Sequence, residues 1–315
     1  MKIAFIIDPL DTFKIHKDST FAMMREAAAR EHTLYVMQQQ DVYWDKGRVS
    51  AQVEELTLTG SEVAWYATAA ARSMPMTEFD AIVMRKDPPF DMEYVYSTYL
   101  LELAQRDGAR VFNDPRAIRD SNEKMTIARF PQFTAPTLVT RGAAMLHAFL
   151  AEHADIILKP LDGMGGTSIF RVQAADPNLN VIIETVTQYG GRTVMAQKYI
   201  PQIAAGDKRI LLIAGKPVPF SLARIPKPGE TRGNLAAGGT GVARELSPRD
   251  REIAETLGPP LAADGLLLVG LDVIGDYLTE VNVTSPTCFQ EIMQQTGFNV
   301  AGMMLDALEH AAAPQ

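Results

Sequence analysis

Short apolar runs separated by amphipathic stretches organise the first 122 residues. Ile3–Ile7, Thr33–Met37, Phe79–Met84 and Arg110–Phe112 are four such runs. Each has the length of a strand buried on both faces. Between them, Ser19-Thr20 offers a cap to a helix over Phe21–Arg30, and Met92–Arg106 repeats its apolar positions at helical spacing. Pro88-Pro89 breaks the chain after the third run, and Val49–Leu58 alternates weakly, as in a small hairpin. Strands alternating with helices predict an N-terminal α/β domain with a parallel sheet over residues 1–122.

The pattern then changes. A helix over Glu123–Arg129 leads to a strand at Thr137–Thr140 and a helix near Ala143–Glu152. Ile156-Ile157-Leu158 runs into Lys159, glycines follow at Gly163, Gly165 and Gly166, and apolar residues resume at Ile169-Phe170. That reads as strand, glycine loop, strand. A helix over Asn180–Gln188 and a strand over Val194–Ile200 complete a unit spanning 123–200.

The last unit, 201–315, opens with a hairpin: Arg209–Ala214 and Pro217–Arg224 around Gly215-Lys216. Residues 226–241 carry two prolines and several glycines with almost no large apolar side chain. A loop this long between confident strands predicts an active-site lid. Leu266–Ile274 and Tyr277–Thr284 form a second hairpin around Gly275-Asp276, and a helix over Ala301–Ala312 follows.

Composition narrows the classes. The chain has 315 residues, 47% of them hydrophobic, and a net charge of −8. That is enough for two or three subdomains and argues against a nucleic-acid surface. Cys288 is the only cysteine and the five histidines are scattered, so no Cys/His metal site is expected. The apolar run after Met1 is cut off by Asp8, too short for a signal peptide. No run approaches a membrane span. The expectation is a soluble cytoplasmic protein with no nucleic-acid or membrane partner.

The glycine loop carries the first chemistry. Residues without a Cβ let backbone amides approach an anion, and Lys159 adds a point charge. Its lysine precedes the glycines and no helix follows, which excludes the P-loop and the dinucleotide fingerprint. The last hairpin carries the second. Glu280 and Asn282 are two apart and share a strand face, with Asp272 on the partner strand. Hard oxygen ligands on one face suit Mg²⁺. A plain two-residue turn at Gly275-Asp276 would put Asp272 opposite Thr279, on the wrong face from Glu280. A bulge or a three-residue loop is therefore predicted. Lys124, Lys159, Arg209 and Arg224 together suggest a phosphate clamp, and the strand through Gln197, Lys198, Tyr199 and Ile200 offers backbone groups to an adenine edge. No Ser/His/Asp arrangement favours covalent catalysis, which leaves phosphoryl transfer by positioning.

These elements, in this order, resemble the ATP-grasp ligases. Met84-Arg-Lys-Asp-Pro-Pro-Phe-Asp91, Ile157-Leu-Lys-Pro-Leu-Asp-Gly-Met-Gly-Gly166, Thr231-Arg-Gly-Asn-Leu-Ala-Ala-Gly-Gly239 and Thr279-Glu-Val-Asn-Val-Thr-Ser-Pro-Thr287 are similar to the bacterial glutathione synthetase family across essentially the whole chain. The resemblance implies an α/β and α+β chain, with a two-subdomain ATP-grasp fold behind the N-terminal domain. It implies ATP-dependent ligation of γ-glutamylcysteine to glycine through an acyl phosphate, with Mg²⁺, or Mn²⁺ in its place. ATP would be held by Lys124, Lys159, Gly163, Gly165, Gly166, Gln197, Lys198, Tyr199, Ile200 and Asp207. Asp272, Glu280 and Asn282 would hold the metal. Arg209, Arg224 and Arg232 would act in catalysis, and Arg85, Arg224, Thr284 and Ser285 would touch substrate. A homotetramer is implied as well.

Another ATP-grasp amide ligase, or a non-catalytic nucleotide-binding regulator, would share many of these residues. The family lid commonly carries a basic residue after its final glycine pair, where this chain has Thr240. Closure is then expected to rest on Arg232. Arg232→Ala should raise the substrate KM or uncouple ATP hydrolysis from ligation, read by comparing ADP and product release. Wild-type values for both would remove Arg232 from the lid.

Overall fold

The computed structural model describes residues 1–163, 166–230, 233, 235 and 238–313. Its first layer is an eight-stranded sheet: β1 (Lys2–Ile6), β2 (Thr33–Met37), β3 (Val42–Asp45), β4 (Arg48–Leu58), β5 (Tyr66–Thr68), β6 (Arg72–Pro75), β7 (Ala81–Met84) and β8 (Val111–Phe112). The order β2-β1-β7-β8 is parallel, as alternating strands and helices predict. Helices α1 (Ser19–Ala29) and α2 (Met92–Arg106) make the crossovers. The expected small hairpin at Val49–Leu58 is instead one long strand, β4, which pairs antiparallel with β2, β3, β5 and β6. The sequence runs from β1 to β2 on one side, and from β7 to β8 on the other. The switch point therefore lies between β1 and β7, where open sheets bind ligands beyond the strand ends. Asp8 and Arg85–Pro88 emerge there.

Asp18, rather than Ser19 or Thr20, caps α1, its carboxylate accepting from the Phe21 amide at 2.7 Å. The two hydroxyls are used elsewhere: Ser19 accepts from the Phe289 amide, and Thr20 accepts from Arg85 Nε.

After α3 (Pro115–Asp120) come two 3₁₀ segments, Met125–Arg129, where a helix is expected, and Pro131–Phe133. The second sheet is antiparallel, in the order β11-β10-β12-β9: β9 (Thr137–Thr140), β10 (Asp155–Pro160), β11 (Phe170–Gln173) and β12 (Val194–Lys198). Helices α4 (Ala143–His153) and α5 (Leu179–Thr187) cover it, and Leu146, Leu150, Ile156, Leu158, Val172 and Ile183 belong to a core of its own. The glycine loop joins two paired strands, with Leu158 opposite Phe170.

The third sheet is antiparallel, in the order β15-β14-β13-β16-β17: β13 (Asp207–Ile213), β14 (Lys216–Ile225), β15 (Thr240–Glu245), β16 (Leu268–Ile274) and β17 (Tyr277–Asn282). Thr240 already pairs with Ile225, so the long loop is shorter than expected and ends at 239. Three helices follow: α6 (Pro248–Ala263), α7 (Phe289–Thr296) and α8 (Val300–Ala311). The first two are not among the expected helices: α6 opens on a Ser247–Asp250 capping box with Pro248 in its first turn but contains Pro259 and Pro260, and α7 is short.

This third sheet shares its cores with the first. One cluster joins Ile6, Ile82 and Met84 to Ile210, Val269 and Leu271; another joins Ile3, Phe5 and Met23 to Leu211, Phe289 and Leu305. Buried Asn113 stitches the two sheets, donating to the Leu268 and Val283 carbonyls and accepting from the Leu268 amide, each at 2.8 Å.

Helix α6 crosses the β13–β14 turn through two glycines. A Cβ on Gly258 would overlap the Gly215 carbonyl oxygen. Helix propensity alone predicts that Gly258→Ala stabilises by about 1 kcal/mol. The overlap predicts the opposite sign, a loss of about 1–3 kcal/mol. Urea unfolding decides between them, and a stabilised variant would contradict the contact.

Candidate active site

The second and third sheets face each other across a cavity of about 320 Å³, to which the switch point of the first sheet contributes Asp87 and Pro88. Lys124, Lys159, Gly163, Gly166, Gln197, Lys198, Tyr199, Ile200, Asp207, Arg209, Arg224, Asp272, Glu280, Asn282, Thr284 and Ser285 all line it. Residues more than a hundred positions apart thus converge. Gly165 and Arg232 lie outside the described residues.

The predicted bulge is present. Ile274 pairs with Tyr277 and Val273 with Leu278, but Asp272 pairs with Glu280, leaving Thr279 as the extra residue. The bulge has two consequences. It sets Asp272 and Glu280 opposite each other, and it takes the Thr279 carbonyl out of register. Lys159 Nζ, from the other sheet, reaches that carbonyl at 3.3 Å.

Lys124 and Lys159 approach Glu280 Oε1 at 3.7 and 3.6 Å, and Lys124 Nζ also donates to the Gly163 carbonyl at 2.6 Å. Both lysines are buried. Burial pulls Lys159 below its ordinary pKa and Lys124 adds to this, while Glu280 opposes it. Two ammonium groups facing a cavity this way suit an anionic ligand.

Asp272 sits inside an arginine clamp. Arg209 forks onto it, Nε to Oδ1 at 2.5 Å and Nη2 to Oδ2 at 3.1 Å, and Arg224 Nη2 is 2.9 Å from Oδ2. Arg224 also pairs with Asp207. Gly270 makes room for the fork, since a Cβ there would stand 3.0 Å from Arg209 Cδ. Burial alone would raise the Asp272 pKa, but the two arginines hold it well below the carboxylate range. Its stabilising share is therefore present at neutral pH and lost only in strong acid. Asp207 goes the other way: burial outweighs Arg224, Asp272 and Glu280 add to it, and its pKa rises to about 6. Folding favours its protonated form relative to the unfolded chain, and that share is lost as pH rises through this value.

The donor set fits a hard cation in part. Glu280 and Asn282 offer oxygens from one face of β17; Asn282 spends its Nδ2 on the Gly270 carbonyl at 3.2 Å, and its Oδ1 has no partner among the described residues. Asp272 has both oxygens engaged by arginines. Among the described residues no group of three or more His, Cys, Asp or Glu is arranged to hold a metal. A cation here would take most of its ligands from substrate and water.

Arg85, expected to touch substrate, does not line the cavity. It is buried, with Nε donating to Thr20 and Nη2 to the Pro286 carbonyl at 2.9 Å. It props the segment after β17, whose Pro286, Thr287 and Cys288 join Thr284 and Ser285 in the lining. Tyr199 turns its ring to Arg171, 3.7 Å from guanidinium carbon to ring centre, so its backbone is what the cavity meets. Ile157, Ile169, Ile203 and Ile274 add apolar lining that periodicity alone does not mark as functional. Glu123 also lines the cavity, and nothing in its local sequence marks it out.

Two antiparallel sheets closing on a cation-rich cleft with oxygen donors on one wall define an ATP-grasp ligase. Residues 1–119 match the prokaryotic glutathione synthetase N-terminal domain and residues 123–297 the prokaryotic glutathione synthetase ATP-grasp domain. The chain belongs to the prokaryotic glutathione synthetase family. It is 64% identical over 316 residues to the glutathione synthetase of Nitrosomonas europaea, covering 99% of each chain. To that of Ralstonia nicotianae it is 65% identical over 312 residues, covering 99% of this chain and 96% of the relative. Among solved structures, a D-cycloserine synthetase superposes with a TM-score of 0.71 at 16% identity, covering 99% of this chain and 100% of that one. At that identity the likeness carries the fold alone. No helix among the described residues is long and apolar enough to cross a membrane.

Asp272→Asn leaves two buried arginines short of a countercharge and should cost about 3–5 kcal/mol of stability. Glu280→Gln, at a partly open site with longer ion pairs, should stay within about 1 kcal/mol of wild type while losing activity. Urea unfolding of both variants checks this, and equal midpoints would contradict the clamp.

Proposed function

We propose that this chain joins γ-glutamylcysteine to glycine, cleaving ATP to ADP and phosphate. A carboxylate is a poor acyl donor. Transfer of the ATP terminal phosphoryl group to the cysteinyl carboxylate makes an acyl phosphate, the glycine amine attacks its carbonyl carbon, and phosphate leaves. The observation that carries the reading is the meeting of Lys124 and Lys159 on Glu280, beside the Arg209–Asp272–Arg224 clamp.

Lys124 and Lys159 would hold the ATP phosphates, with the glycine loop above them. The backbone at Gln197–Ile200 would meet the adenine edge, with the isoleucines against its faces. Arg209 and Arg224 each keep an Nη1 free of protein partners among the described residues and would hold the dipeptide carboxylate as it becomes an acyl phosphate. Mg²⁺ or Mn²⁺ held by Glu280 and Asn282, with Asp272 beside them, would neutralise charge developing on the phosphates. The loop after β14 would exclude water, which otherwise hydrolyses the acyl phosphate. Arg85 would act on the substrate side through Pro286. The protein would work in the cytoplasm, where its one thiol stays reduced. The tetramer that the family resemblance implies would cover the exposed stripe of Met92, Tyr96, Tyr99 and Leu103 on α2.

ADP release tests the reading directly. Release only when γ-glutamylcysteine and glycine are both present is expected. Release with a different acid would make the chain another ATP-grasp ligase, and no release under any condition would make it a nucleotide-binding regulator.

A further inference from the structure

Every carboxylate in the cavity except two is spoken for by a cation. Asp207 and Asp272 belong to the arginines, and Glu280 to the lysines. Asp87 is exposed at the rim. Glu123 remains. Its backbone carbonyl accepts from the Val281 amide at 2.8 Å, which pins it beside β17. Its Oε1 accepts from the Thr284 hydroxyl at 2.9 Å, and its Oε2 has no protein partner among the described residues.

Position makes this group informative. Glu123 stands at the wall between the main cavity and a side chamber of about 30 Å³. Pro88, Gly163 and Thr284 border both spaces, while Phe90 and Leu161 close the chamber. Ser121, Asn122 and Asp162, the last paired with Arg192, complete its lining, and it is the size of a water or an ammonium head group. Next along the chain is Lys124, one of the phosphate-facing lysines. No ion pair holds Glu123 among the described residues, and there the Thr284 hydroxyl is the side-chain group that bonds its carboxylate.

We propose that Glu123, with the Thr284 hydroxyl, is the subsite that seats the ammonium group of a small amino-acid acceptor. This deepens the ligase reading and rests on it. The phosphates and carboxylates go to the four cations. Two substrate ammonium groups remain, and only the acceptor's must reach the acyl phosphate beside the phosphate-holding lysine, since the γ-glutamyl ammonium lies at the far end of the dipeptide; the acceptor's therefore goes to the one unclaimed carboxylate inside the cavity. Seated there, the acceptor nitrogen lies beside the phosphate-holding lysine. One proton leaves the ammonium to solvent before attack. The second leaves the nitrogen as the C–N bond forms and the C–O bond to phosphate breaks, and the departing phosphate carries it away.

The test uses Glu123→Gln and Thr284→Val in the full-length enzyme, with steady-state kinetics for each substrate and a thermal melt. Loss of a charge-assisted contact predicts a glycine KM raised about tenfold to a hundredfold, with the KM for ATP and γ-glutamylcysteine within about twofold of wild type. Hydroxylamine, neutral in mildly alkaline buffer, serves as an acceptor with no ammonium to seat. In Glu123→Gln the ratio of glycine ligation to hydroxamate formation should fall at least about tenfold. Thr284→Val should shift the same ratio in the same direction by less. An unchanged glycine KM, or equal losses with glycine and hydroxylamine, overturns the proposal. If Glu123→Gln does not fold, an unchanged ratio in Thr284→Val overturns it. Wild-type enzyme that ligates no glycine overturns the ligase reading instead.

Discussion

A buried carboxylate gripped by two arginines sets the geometry of the catalytic half. Removing these charges from water costs several kcal/mol per ion, and only close pairing recovers it. Arg209 meets that demand with a fork, Arg224 with a second contact shared with Asp207, and Gly270 by leaving space for the fork. The clamp crosses β14, β13 and β16, so it holds three strands in one register. The bulge at Thr279 then places Glu280 opposite Asp272 and frees the carbonyl that Lys159 takes. Lys159 on one wall and the arginine clamp on the other thereby meet around Glu280 and Asp272.

The cores explain how such a cleft can open. The sheet around β10 and β12 packs mostly in its own hydrophobic cluster, with Met195 of β12 joining the one that the first and third sheets share. Among the described residues the polar ties to that layer include Lys159 to the Thr279 carbonyl and to Glu280, Lys124 to the Gly163 carbonyl, and Asn122 to the Leu161 carbonyl. A layer with a largely separate core moves as a body at small cost. The remainder, stitched by Asn113 and by shared apolar clusters, stays rigid beneath it. An anionic ligand is then the natural agent of closure, since the lysines that tie the layers are the ones proposed to hold the ATP phosphates.

Local chemistry was legible in the sequence wherever it had a local cause. The glycine loop between strands, the parallel sheet from alternating elements and the bulge forced by the Asp272–Glu280 spacing all follow from periods of two or from short turns. Partnerships between distant elements do not. Arg209 meets Asp272 sixty-three positions away. Nothing in its strand distinguishes that clamp from phosphate binding. Arg85 reads as a substrate ligand in its motif, and only the fold shows that Thr20 and the Pro286 carbonyl hold it while its buried Nη1 has no partner among the described residues. Helix α6 hid behind its internal prolines and β15 behind the glycines before it. Glu123 had no signal, because what distinguishes it is the absence of a countercharge, and only the assembled cavity shows that.

The central claim is that this cleft makes and protects an acyl phosphate before the amide forms. Heavy-oxygen label in the cysteinyl carboxylate of γ-glutamylcysteine tests it most directly, with the released phosphate read by mass spectrometry. An acyl phosphate requires one labelled oxygen to appear in each phosphate released during ligation, because the C–O bond to the former carboxylate oxygen is the one that breaks. Unlabelled phosphate, accompanied by full peptide formation, would contradict the account.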